Sequence, residues 1–376
     1  MNSRERALAA LNHREPDRVP IDFGGTKVTS ITRPAYERLL EYLQVRGTDQ
    51  GMSIDGGEAF VPSERIQRFL GADFRRTSLQ APDGYKRVIQ ADGTYVDEWG
   101  IRRKKVGFYW EICEFPLAKA TVDDLERYPW PDPANPGRVR GLRDKVKALR
   151  ENTDCAIIAD GAASGVFLHA CRMRGFEQFL RDLAADKRFA NAFMDRLVEV
   201  YIGLYEAYMT AVGDYVDVVC FADDLGTQER TFVSPRMYRE MIKPRQKQVF
   251  DAIKSRTRAK LFIHCDGAIA PIIRDFIEIG VDVLDPVQTS AAGMDPLYLK
   301  NEFGKDIVFW GGIDIQKVVS TGTAADVETE VRRIIEVLGP GGGYVLGATH
   351  NLQADTPPEN ILALYNSALK YGWYQA

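Results

Sequence analysis

Only four histidines occur in the 376-residue chain, and two of them end apolar runs: His264 in KLFIHCDGAIAPII and His350 in GGYVLGATHNLQADTPPENI. Asp266 stands two residues after His264, and Gly267 follows it directly. Residues i and i+2 of an extended segment share a side, so this imidazole and carboxylate can converge on one ion as the chain turns. A second imidazole from a later strand would complete three protein ligands with an open position, the arrangement of a catalytic divalent metal. The competing reading is that each histidine caps a helix or satisfies a backbone group. Cys265 is a softer alternative to Asp266 if the backbone bends there.

The stretch FADDLGTQ places Asp223 and Asp224 directly after another apolar run. Neighbouring side chains of a strand project to opposite faces, so one acid enters the site and the other the loop. Asp223 is read as the acid that meets substrate or metal, with helix capping as the alternative for one of the pair, Ser234 or Asp224 serving as cap. Asp160, which ends CAIIAD, and Gln228 are candidates for a hydrogen bond to substrate. His169 sits in a helical pattern and reads as a core residue, and His13 reads as a surface one. The glycine run GPGGGY precedes a strand and lacks the Lys-Ser/Thr pair of a phosphate loop, so it reads as a tight turn.

These residues need elements to hold them. CAIIAD, YVDVVCFADD, AKLFIH, VDVLDP, IVFWGG and GYVLGA are apolar on both faces and read as buried parallel strands. Helical patterns lie between them, among them FANAFMDRLVEVYIGLYEAYM, AADVETEVRRIIEVL and PPENILALYNSALKYG. With RVPIDFGG and a strand near 74–79 there are eight β units, the number in a (β/α)8 TIM barrel, although a doubly wound sheet reads similarly. Either fold brings strand-end polar groups to one ligand site. Residues 1–376 read as a single domain, with 80–150 as an insertion or cap. The cap carries a β-hairpin with ADGT as one turn, and its aromatic-rich GFYWEICEF lines a substrate cap or a partner surface or forms a buried hairpin face.

Composition narrows the function. Apolar residues make up 45% and charged residues 27%, as in soluble globular enzymes. A formal net charge of −4 gives no global electrostatic reason to bind nucleic acid, which usually shows as a basic face or stripe. The charged start MNSRERALAALNHREPDRVP lacks a signal-peptide core, no apolar run is long enough to span a membrane, and the expected location is the cytoplasm. Five widely spaced cysteines read as buried thiols rather than a disulfide framework.

Over nearly its whole length the chain resembles the uroporphyrinogen decarboxylase superfamily. The resemblance rests on RERALAALNHREPDRVPIDFG, DDLGTQ, IHCDGAI with GVDVLDPVQ, VFWGGIDIQ and GGGYVLGATHNLQADTPPENI. It implies a (β/α)8 barrel. True decarboxylases of the superfamily carry RQAGRY after the first strand, whose arginines meet substrate carboxylates; this chain reads IDFGGTKVTSIT there, which argues against porphyrinogen decarboxylation. The cobalamin-linked methyltransferase branch carries a zinc site of the form H-x-C-G plus a later cysteine. That pattern falls here on His264, Asp266 and His350. The harder His-Asp-His set suits an oxygen or nitrogen leaving group better than a thiol.

The resemblance therefore implies a divalent metal, with zinc the expected ion, and a small methylated substrate, either a methyl ether or an amine. It further implies a separate corrinoid (cobalamin) protein as methyl acceptor. Asp223 would orient substrate, with Asp160 or Gln228 adding a hydrogen bond. Two alternatives accompany this reading. A decarboxylase or other lyase acting on a small acid would need Arg172, Arg174 or Lys27 as a cationic partner, and a noncatalytic ligand-binding barrel would hold no metal.

Overall fold

Seven parallel strands hydrogen-bond in strict chain order. They are Phe74–Thr77 (β1), Ala156–Ala159 (β2), Val218–Ala222 (β3), Lys260–His264 (β4), Val283–Asp285 (β5), Val308–Ile313 (β6) and Tyr344–Ala348 (β7) in a computed structural model that describes residues 1–45, 51–54, 59–107, 109–162 and 164–374. A doubly wound sheet reverses its order at a switch point, whereas a barrel does not. The remaining gap is filled by residues 19–23. Leu346 of β7 donates to Pro20 O and accepts from Asp22 N, and Asp73, just before β1, donates to Ile21 O. That segment is the eighth stave, and its bridge to β7 is parallel.

Alternate residues point inward, as the period of two requires. Phe74, Ile158, Cys220, Phe262, Val308 and Trp310 belong to one buried interior cluster. The Trp310 ring lies 4.5 Å from Phe74 and 5.3 Å from Phe262, and its indole N–H donates to Asp22 at 3.0 Å. Ala7 and Leu11 of helix Ser3–Leu11 close the floor. There Asp73 accepts from Arg6 at 2.7 Å and Arg18 at 2.8 Å, so much of RERALAALNHREPDRVP closes the amino-terminal face of the barrel. Helices Lys187–Val212, Lys243–Lys254, Pro296–Phe303, Ala324–Leu338 and Pro358–Tyr371 lie on the outside.

Between β1 and β2 the chain makes a three-stranded antiparallel meander, Thr94–Val96, Arg102–Val106 and Tyr109–Glu114. ADGT precedes the first of these strands instead of joining two, because Asp92 accepts from both the amide and the hydroxyl of Thr94 and folds the turn on itself. Phe108 of GFYWEICEF lies outside the described residues. The meander reaches the carboxyl ends of the barrel strands: Trp99 packs 4.2 Å from the His169 ring, and Tyr109 hydrogen-bonds Gln353.

His169 is buried, with Nδ1 2.6 Å from the Tyr201 hydroxyl. His13 is half-buried against Gly343 rather than exposed. GPGGGY makes the turn into β7, and a Cβ on Gly342 would meet the Arg14 backbone at 2.5 Å. All five cysteines are unbridged; four are buried as expected, whereas Cys113, on the outer strand of the meander, is exposed. Among the described residues no helix is long and apolar enough to cross a membrane.

Candidate metal centre and substrate cavity

His264 is the last residue of β4, and the parallel register pairs it with Asp285 at the end of β5. Their side chains meet, Nδ1 to Oδ1, at 2.6 Å. This contact fixes the imidazole plane and turns Nε2 into the barrel mouth, where Asp266 Oδ2 stands 3.5 Å away and Asp224 Oδ1 3.9 Å away. The His350 ring, just after β7, lies 5.7 Å from the His264 ring. One ligand atom from each of His264, Asp266 and His350 falls within 4.8 Å of the others.

A tetrahedral ion with bonds of about 2.0–2.2 Å holds its ligand atoms roughly 3.5 Å apart, so the His264–Asp266 pair already has the spacing and His350 needs only a small rotation. A metal-bound histidine characteristically gives its other ring nitrogen to a carboxylate, which is what Asp285 provides. Asp285 Oδ2 has no partner among the described residues, so the acid's hydrogen bonding is directed to His264 alone.

Electrostatics also favour a cation here. Burial alone would lower the His264 pKa, but the Asp266 and Asp285 carboxylates outweigh it and hold the ring well above its ordinary value. Burial likewise works against the Asp266 carboxylate, yet His264 draws it below its usual range. Burial pushes His350 down, so it stays neutral, as a ligand must. Without an ion, a proton on His264 carries the positive charge that the surrounding acids demand.

Local backbone explains why Asp266 rather than Cys265 joins the cluster. Cys265 points the other way, and its Sγ accepts from Leu225 N at 3.3 Å. Burial raises that thiol well above its ordinary pKa, which keeps it from acting as a thiolate ligand. Gly267 has φ +95°, and a Cβ there would meet Gly226 C at 2.5 Å. The HCDG and DDLG loops can cross only because both positions are glycine.

Asp223 is placed differently from the sequence expectation. Its carboxylate accepts from Val166 N at 3.0 Å, Phe167 N at 3.1 Å, Leu168 N at 2.8 Å and Gln246 Nε2 at 2.9 Å. It caps helix Val166–Arg174 and is fully buried, and burial pushes its pKa up to about 7. The site-facing acid is its neighbour Asp224. Pattern alone could not separate the two, because the strand stops at Ala222 and both acids lie in the loop that follows.

A cavity of about 460 Å³ opens beside His264 and His350 and is lined also by Asp224, Asp160, Trp99 and Arg172. Asp160 accepts from Lys27 N at 2.9 Å, Arg76 Nε at 2.5 Å and Gly161 N at 2.8 Å. Gln228 lies elsewhere. It is exposed in a second cavity of about 560 Å³, where its amide faces Gln316 at 3.5 Å and where Asp266 and His350 form part of the wall. The candidate metal cluster thus stands between the two spaces. Arg174 is consumed by Asp182 and by the carbonyls of Leu117 and Ala120. Sequence reasoning missed the roles of Asp285, Asp224 and Trp99; for Asp285 the signal was an acid at the end of the strand next to His264.

The model of the family described as Uroporphyrinogen decarboxylase (URO-D) matches residues 113–371. Two relatives, both named uroporphyrinogen decarboxylase, are 22% identical to the chain. The one from Pseudoalteromonas atlantica aligns over 79% of this chain and 80% of its own length, and the one from Alkalilimnicola ehrlichii over 96% and 93%. A solved structure described as a methyltransferase from Methanosarcina mazei covers 99% of both chains with a TM-score of 0.65 at 18% identity, which establishes a shared fold.

Proposed function

From the premise that the chain belongs to the uroporphyrinogen decarboxylase family, we propose that it is a metal-dependent methyltransferase. It would take a methyl group from a small methyl ether or methylated amine and pass it to a corrinoid held by a separate cytoplasmic protein. The barrel would act as one domain, with residues 80–150 as its cap. The observation that carries this reading is the place of the His264–Asp266–His350 cluster between two cavities. Group transfer needs a donor and an acceptor on either side of the reacting centre, whereas a lyase needs one pocket. A methyltransferase of the same fold supports the reading as an analogy.

A bound divalent ion, with zinc the natural candidate, would supply Lewis acidity that stabilises charge on the leaving oxygen or nitrogen. The rest of the work falls to side chains. Asp285 holds the His264 ring in one orientation. Asp160, itself braced by Arg76, offers a carboxylate to a substrate donor in the smaller cavity. Trp99 and Leu168 line that cavity and would pack against the substrate body, and Asp224 would take the orienting role expected of Asp223. Gln228 faces the second cavity and so would serve the acceptor side.

The test is transfer from a panel of methyl ethers and methylamines to cob(I)alamin, followed by the corrinoid spectrum, with zinc-loaded and chelated protein compared. Zinc-dependent methylation supports the reading, and no transfer from any donor overturns it. Arg172 on the cavity wall favours a second reading, decarboxylation of a small acid. That reaction would release carbon dioxide with no corrinoid present.

A further inference from the structure

Among the described residues on the wall of the smaller cavity, Arg172 stands out as a guanidinium with no ion pair. Of the acids and bases on its wall, Arg76 is paired with Asp160 at 2.5 Å and Glu98 with Arg138 at 2.7 Å. Asp224 lies 3.9 Å from His264. Lys27 gives its backbone N–H to Asp160 and is not otherwise without a partner. Arg172 also lines the wall but makes no hydrogen bond or ion pair with another described residue. It sits one helical turn after Leu168 on helix Val166–Arg174, on the same face, and both side chains reach the cavity. Burial pulls its guanidinium below its ordinary value, Asp224 attracts it from beyond ion-pair distance, and Arg103 repels it.

A guanidinium has five donors in a planar fork that matches a carboxylate, and it stays charged in proteins. Leaving that fork unpaired in a half-buried wall is costly unless a ligand arrives to fill it. Beside these polar groups the wall carries Trp99, Leu168 and Phe262, so it suits a short hydrocarbon or single-ring body. A space of about 460 Å³ is at the small end for ligand sites and has no room for a tetrapyrrole with its many acids.

We propose that Arg172 binds a carboxylate, so that the methylated donor is a small organic acid with its anionic end on Arg172 and its methylated atom toward the His264–Asp266–His350 cluster. This assignment rests on the methyl-transfer reading for the second half only; the carboxylate contact stands by itself.

Binding of matched pairs tests it, each an acid and its neutral amide: methoxyacetate with methoxyacetamide, and 4-methoxybenzoate with 4-methoxybenzamide. Calorimetric titration of the zinc-loaded chain, without corrinoid, should show at least one acid bound about 10- to 100-fold more tightly than its amide. Arg172→Gln should abolish the preference while amide affinity and zinc content stay unchanged, and Arg172→Lys should restore part of it. Equal binding of acid and amide in both pairs, no binding of either acid, or a preference that survives in Arg172→Gln would overturn the proposal. Selective acid binding without methyl transfer to cob(I)alamin would leave Arg172 in place and remove the transferase reading instead, so the two failures are distinguishable.

Discussion

Asp223 and Asp285 are both buried carboxylates at the ends of strands, one after β3 and the other closing β5, yet they have opposite functions in the architecture. Asp223 is saturated by three backbone amides and Gln246, all of which tie a helix to the barrel. Asp285 directs one oxygen to His264 and leaves the other without a partner among the described residues. Position at a strand end therefore does not assign a role. What distinguishes the two is where the acceptor capacity goes: into the fold, or into a side chain that faces the cavity.

The largest effect that could break this contrast is on metal binding. His264→Ala and His350→Ala are expected to lose zinc to background in elemental analysis after dialysis, while wild type keeps it near stoichiometry. Retention of zinc by both variants would remove the metal centre.

Next in size is a pH effect on the Asp223 side of the comparison. Its pKa rises from 3.8 to about 7 because burial outweighs its hydrogen bonds. A folded-state pKa above the unfolded one means that the native chain binds the extra proton, so the stability is present below about pH 4 and is lost as pH rises through 7. Urea unfolding of metal-free protein should therefore weaken by a few kcal/mol across that window. Asp223→Asn should make the profile shallower, the remaining slope coming from the buried Asp22, raised to about 7, and Asp285, raised to about 6. A slope unchanged by the substitution would show that the cap carries its charge at all these pH values.

Smaller again is Asp285→Asn. It keeps the shape but replaces a charged acceptor behind His264, and loss of such a supporting carboxylate costs about 10- to 100-fold in metal affinity. Competition with a zinc chelator measures this. Asp223→Asn should leave zinc affinity within about threefold, inside the 1 kcal/mol scatter of ordinary substitutions. If the two variants exchanged results, the division between cap and metal support would be wrong.

The barrel was legible because its strands are buried on both faces, which writes them as unbroken apolar runs such as CAIIA and AKLFI. That His264, Asp266 and His350 would lie near one another was legible for a related reason: a polar residue that ends such a run must leave the core, and the fold gathers those ends in one place. Three features resisted. The choice between Asp223 and Asp224 depends on where β3 stops and on a helix start far earlier in sequence. The pairing of Asp285 with His264 depends on the register of two strands. In the insertion, a turn closed by Asp92 and Thr94 has the same sequence signature as one that joins two strands. Each needs a contact between segments that local pattern does not contain.

The smallest expected effect separates the two cavities. Asp160 and Gln228 are alike in sequence as candidate hydrogen-bonding groups for substrate, but the first lines the smaller cavity and the second the larger. Gln228 is exposed, and its contact with Gln316 is long at 3.5 Å. A weak, solvated hydrogen bond of this kind contributes at most about 0.5 kcal/mol, or roughly a factor of two. Gln228→Ala should accordingly raise KM for cob(I)alamin about twofold and leave donor binding untouched. Asp160→Asn should do the reverse, weakening the donor while sparing the acceptor, because its oxygens are shared with Arg76 and face the smaller space. A change in donor affinity from Gln228→Ala would mean that the two cavities join when substrate binds, and the separation of donor from acceptor by the His264–Asp266–His350 cluster would fail with it.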